Sequence, residues 1–172
     1  MVPRWRSTPR ENGAVDEWIR REFTVRGLSP PDCTPEALAR TLERERHMTI
    51  EFRPHASDDT GVYGLLYRPA ECPDIYIIMY RPTHNIILRR LILFHELAHI
   101  LFDHALTEVA ERGVLYGYMV SDKDDATAEA FAMGAMQYSF LDADPAPALA
   151  DAADDVSASA FGQFLKRTRY TS

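Results

Sequence analysis

His95, Glu96 and His99 fall within five consecutive residues at the centre of the stretch LILFHELAHILFDH, residues 91–104. Residues four apart on an α-helix lie one above the other, offset by about 40° around the axis. Two imidazoles at that spacing can each aim a ring nitrogen at one common point. A carboxylate one residue after the first imidazole flanks that point without entering it. This is the HExxH motif of zinc hydrolases, in which two neutral imidazoles hold the cation and the carboxylate acts as general base. The rest of the stretch is Leu, Ile, Phe and Ala, and an ionised glutamate in such company is costly unless it is paired. A single divalent cation and its water account for all three polar groups at once. The expectation is therefore one Zn2+ per chain, with His95 and His99 as ligands and Glu96 as the catalytic base.

Two histidines do not complete a zinc site, and the third ligand must come from elsewhere. His104 lies five residues after His99, about 140° further round a continuing helix and about 180° from His95. It reaches the same ion only if the helix breaks first. Otherwise it is a helix-end residue whose charge suits the dipole, or a group that orients a ligand. The longer metzincin motif would need Gly and His where this chain has Phe102 and Ala105. The segment DDATAEAFAMGAMQYSFL, residues 124–141, reads as a second long helix with acids at Asp124, Asp125 and Glu129. A helix N-terminus favours carboxylates, which suffices for Asp124 but not for Glu129. Asp125 and Glu129 are four apart and share a face. Their order is similar to that in thermolysin-like enzymes, where an acid on such a helix binds zinc and a later acid orients a ligand histidine. Asp125 is thus the expected ligand and Glu129 the acid that fixes an imidazole tautomer, with Glu129 and His104 as alternative ligands. Asp is one methylene shorter than Glu, so the two helices must approach closely; Ala126, Ala128 and Ala132 would allow it. Candidate oxyanion donors are Tyr116, Tyr118 and His84.

These side chains need a scaffold. DEWIRREFT (16–24) has Trp18, Ile19 and Phe23 near helical spacing, and Gly27 with Pro30-Pro31 ends it. Thr34-Pro35-Glu36 is a helix start, with a hydroxyl cap, proline at the first position and acid in the first turn; that helix should run to about Arg46. MTIEFR (48–53), GVYGLLYR (61–68) and DIYIIMYR (74–81) are bounded by Pro, Gly or Asp and read as strands. Short connections between them predict a three-stranded antiparallel sheet. Pro82-Thr83 ends the third strand and caps a central helix over 84–103. Residues 105–123 contain VLYGYMV, readable as a strand or as a wall of the cleft. The fold class is α+β, with the sheet packed on the central HExxH helix and on the second, ligand-bearing helix. Residues 1–12 are expected to be a flexible arm and 13–141 the domain. Residues 142–172 form an acidic linker and a short amphipathic segment around Phe161, Phe164 and Leu165.

HELAHILFDH (95–104), preceded by three strands and followed by DATAEAFA (125–132), resembles the ImmA/IrrE family of metallopeptidases. That family shows HELGH, a further histidine five residues on, and a segment like ExEAxxFA. His104 falls on the further histidine, Asp125 on the first Glu, Ala128 on the Ala, and Phe131-Ala132 on Phe-Ala. Thr127 stands where the second Glu would be. The resemblance spans about residues 35–141. It implies a small zincin-like, gluzincin-type fold and a zinc endopeptidase that inactivates a protein partner, a helix-turn-helix transcriptional repressor. Some members are described as toxin–antitoxin components, which keeps open an alternative reading as a non-cleaving regulatory protein that binds its partner through the same domain.

Composition limits the other classes. The chain has 172 residues, enough for one domain with a sizeable core. A net charge of −7, from 26 acidic and 19 basic side chains, argues against direct nucleic-acid binding and suits a basic protein partner. Cys33 and Cys72 form no CxxC pair and read as reduced thiols. The longest apolar run, 86–102, is interrupted by Arg89, Arg90, His95, Glu96 and His99, which excludes a comfortable membrane span. No targeting segment is evident, and the expected location is the cytoplasm.

Overall fold

The structure, a computed structural model, describes residues 17–55, 63–69, 71–82, 85–105, 107–111, 114–119 and 122–140, with no side chains described between 106 and 122. The proposed arm over 1–12 and the segment over 142–172 lie outside the described residues.

Helix α1, Glu17–Val25, buries Ile19 and Phe23. A short 3-10 turn at Pro30–Asp32 leads to α2, Pro35–Arg46. Thr34 caps α2 as its sequence requires: Oγ1 accepts from the Ala37 N–H at 3.1 Å. His47 ends it in the left-handed region, φ 55°. Glu43 Oε1 then accepts from the Ile50 N–H at 2.8 Å, which ties the end of α2 to the first strand.

Strands β1 (Thr49–Pro54), β2 (Gly64–Tyr67) and β3 (Ile75–Tyr80) form one sheet in the order β1-β3-β2. β2 pairs antiparallel with β3, but β1 pairs parallel with it, Thr49 opposite Ile75 and Pro54 opposite Tyr80. The sheet is therefore mixed, not antiparallel as the short connections suggested. The strand sequences give the reason. IYIIMY of β3 is apolar on both faces, with Ile77 and Ile78 both buried, and such a strand belongs in the middle of a sheet. β2 is short and opens with a glycine, and it takes the edge. The chain between β1 and β3 carries β2 and brings β3 back parallel to β1.

Helix α3, Ile86–Leu101, starts two residues later than expected. Its cap is Asn85, whose Oδ1 accepts from the Ile87 and Leu88 N–H groups at 3.0 Å each. Every residue from Leu91 to Leu101 is buried. α3 lies between β2 and β3 on one side and α2 and α4 on others, so its apolar surface runs all round. β4 (Thr107–Glu111) and β5 (Val114–Met119) make an antiparallel hairpin beside β2; of VLYGYMV, residues 114–119 are thus a strand.

Helix α4, Asp122–Ser139, packs along α3. Ala128, Phe131, Ala132, Ala135 and Met136 are buried at helical spacing. Ala126 faces solvent and takes no part in the close approach expected of it. Gly134 does: a β-carbon there would meet Ile19 Cγ1 at 2.7 Å, so α1 rests on the α4 backbone. Phe23 stacks on Tyr138 with ring centroids 5.1 Å apart, and the Tyr138 hydroxyl donates to Leu28 O at 3.0 Å. Among the described residues no helix is long and apolar enough to cross a membrane.

Leu93 is wholly buried in the core. Leu93→Ala should lower unfolding free energy by about 2–5 kcal/mol in urea titration. Burial pushes the Cys33 thiol up to about 12, against the opposing charge of Arg90, while Cys72 is exposed. With a thiol reagent at pH 8 the native protein should give fast reaction at Cys72 alone, and Cys33 should react only in denaturant.

Candidate metal centre

His95, Glu96 and His99 sit in the buried middle of α3, and Asp125 sits in the first turns of α4. His95 Nε2 is 3.1 Å from Asp125 Oδ1 and 3.2 Å from His99 Nε2. His99 Nε2 is 4.0 Å from the same Asp125 oxygen. Zinc–nitrogen and zinc–oxygen bonds of about 2.0–2.1 Å in a tetrahedron place donor atoms about 3.3 Å apart. Two edges of the triangle have that length and the third is somewhat open. His95, His99 and Asp125 can therefore hold a metal ion between them, with two imidazole donors and one carboxylate donor.

The end of α3 decides what His104 does. Phe102 closes the helix and Asp103 turns into the left-handed region, φ 52°. Arg46, from the last turn of α2, caps the last carbonyls: Nη1 donates to Ile100 O and Nη2 to Leu101 O, both at 2.7 Å, and Nη1 also meets Asp103 Oδ1 at 2.5 Å. The chain folds back so that His104 N–H donates to His99 O at 3.0 Å. The break puts His104 Nδ1 2.9 Å from His99 Nδ1. Its other nitrogen lies 3.7 Å from Asp124 Oδ1. His104 thus sits behind His99, not in the triangle. In the consistent proton assignment His99 donates Nδ1–H to His104 and turns its Nε2 lone pair to the centre. The Asp124–His104 pair thus stands at the back of the His99 ring. Glu129 lies close enough to His95 to raise its pKa by charge and is not among the three donors.

Burial and charge shape the donors. Burial, with the charges of His95 and His104, lowers His99 to about 3, so it is neutral and free to coordinate. Burial likewise lowers His104, against the opposing charge of Asp124. For His95, burial works downward but the Asp125 hydrogen bond and the charges of Glu96, Asp125 and Glu129 outweigh it, and the net shift is upward. Glu96 is pushed up to about 7, chiefly by burial and also by Asp125, while His95 and a hydrogen bond from the Leu66 N–H hold it down. That last donor was not visible in the motif. Arg81 N donates to Tyr63 O, so residues 63, 65 and 67 exchange bonds with β3 and the N–H groups of Gly64 and Leu66 point away from β3.

Tyr116 and Tyr118 lie on β5, but their side chains, and His84 entirely, lie outside what is described. No family model, no curated protein and no solved structure matches the chain.

Removing His99 or Asp125 should abolish stoichiometric zinc after dialysis, read by elemental analysis. His104→Ala should keep the stoichiometry but weaken zinc about 10–100-fold in calorimetric titration, the usual cost of losing a group that orients a ligand imidazole.

Proposed function

We propose that this protein is a zinc-dependent endopeptidase of zincin-like architecture acting on a protein partner. The observation that carries the reading is the convergence of His95 Nε2, His99 Nε2 and Asp125 Oδ1, with the buried Glu96 carboxylate one residue from the first of them. Lewis acidity toward a carbonyl and toward water is the chemistry that a bound zinc ion supplies. The remaining work falls to the chain. Glu96, with a pKa near neutrality, accepts the proton of the attacking water and delivers it to the leaving amine. His104 and Asp124 keep the His99 ring in one tautomer and one orientation. The apolar wall of α3 excludes bulk water and strengthens each of these electrostatic effects.

The ImmA/IrrE resemblance supplies the partner class, a basic helix-turn-helix repressor, and the acidic net charge of −7 is complementary to it. In this reading cleavage relieves repression, and the protein acts in the cytoplasm.

The test is Glu96→Gln, which preserves shape and removes the base. With zinc and a quenched-fluorescence peptide library, wild type should cleave. Glu96→Gln should bind zinc within about twofold of wild type and lose at least about 100-fold in kcat. Equal cleavage by both proteins would sink the peptidase reading. Inactivation of a repressor that survives Glu96→Gln would instead mean that the protein acts by binding.

A further inference from the structure

Glu96 is held from a direction that the HExxH motif does not specify. The motif fixes where its β-carbon leaves α3, but the carboxylate then has several rotamers. The structure fills the space around it with the edge of β2. Leu66 N–H donates to it, and Gly64, on the same face of the strand, lies directly against it. A β-carbon at Gly64 would stand 2.5 Å from Glu96 Oε1, 3.2 Å from Glu96 Cδ and 2.8 Å from Ile92 Cγ2. Real contacts of this kind do not go below about 3 Å. Ile92 is almost fully buried and cannot withdraw, so the carboxylate would have to leave.

Gly64 has an ordinary extended conformation. Among described glycines only Gly27 has positive φ, so the turn requirement that usually explains a glycine is absent here. A glycine inside a strand otherwise weakens it and marks a close approach. What approaches is the carboxylate.

We propose that Gly64 is a positioning residue for Glu96: the missing side chain leaves a seat beside Ile92 in which the carboxylate is held by the Leu66 N–H. The proposal builds on the role given to Glu96 above, and its test has an arm that does not need catalysis. In the first arm, melting temperatures are measured in EDTA for wild type, Gly64→Ala, Glu96→Ala and the double variant. Gly64→Ala should lower Tm, and in the Glu96→Ala background that fall should shrink by roughly half or more, because the displaced group is gone. In the second arm, the library peptide best cut by wild type is used. Gly64→Ala should lose about tenfold or more in kcat, with KM and zinc affinity within about twofold of wild type. A merely structural defect would move zinc affinity too. If Gly64→Ala alone does not fold, the double variant must fold. Equal Tm falls in both backgrounds, an unfolded double variant, or an unchanged kcat would overturn the proposal. Absence of cleavage by wild type overturns the peptidase reading alone, and the thermal cycle then decides the seat by itself.

Discussion

The 3.1 Å contact between His95 Nε2 and Asp125 Oδ1 joins the two long helices at their most polar point. It demands that α3 and α4 pack closely, because an aspartate reaches one methylene less far than a glutamate. The buried face of α4 is built for that approach, with Ala128, Ala132 and Ala135 turned inward. The same economy of volume recurs at Gly134, where α1 comes down on the α4 backbone through Ile19. Around these small residues stand large ones: Phe23, Phe94 and Phe131 fill the space that the alanines leave, ring against ring. The close packing of such an interior resists the displacement that would separate imidazole from carboxylate.

A second constraint is the way α3 ends. A helix that ran on would carry His104 to the far side. The left-handed Asp103 and the Arg46 guanidinium stop it, and the guanidinium donates to the last carbonyls of the helix, Ile100 O and Leu101 O. A residue of α2 thereby governs a contact between two histidines of a different segment. The arrangement links the packing of α2 on α3 to the orientation of the His99 ring.

Much of this was legible in the chain. HExxH identified three of the polar groups because helical spacing is rigid and local, and Asp125 followed from a second long helical segment with acids at its start. Thr34 announced the start of α2 for the same local reason. What could not be read was non-local. Strand order depends on which strand is apolar on both faces, and the short connections around β2 pointed to antiparallel neighbours throughout, a relation that β2 and β3 keep and β1 does not. The place of His104 turned on a helix break stabilised by Arg46, far away in sequence. That break, and not spacing along α3, brings His104 to the back of the His99 imidazole. Gly64 carried a readable signal, an isolated glycine in a strand pattern, but only the folded chain shows what it makes room for.

The permuted strand order has an effect on the centre itself. Had the three strands followed one another across the sheet as they do along the chain, β2 would lie in the middle. Both of its margins would then be spent on ladder bonds, and the Leu66 amide would have no proton to offer a side chain. By inserting β3 between its neighbours, the topology leaves β2 with one margin off the ladder among the described strands, and the Leu66 N–H on it reaches Glu96 of α3. A choice about sheet connectivity, made by the hydrophobicity of IYIIMY, is in this way a choice about which dipole stabilises the ionised form of Glu96.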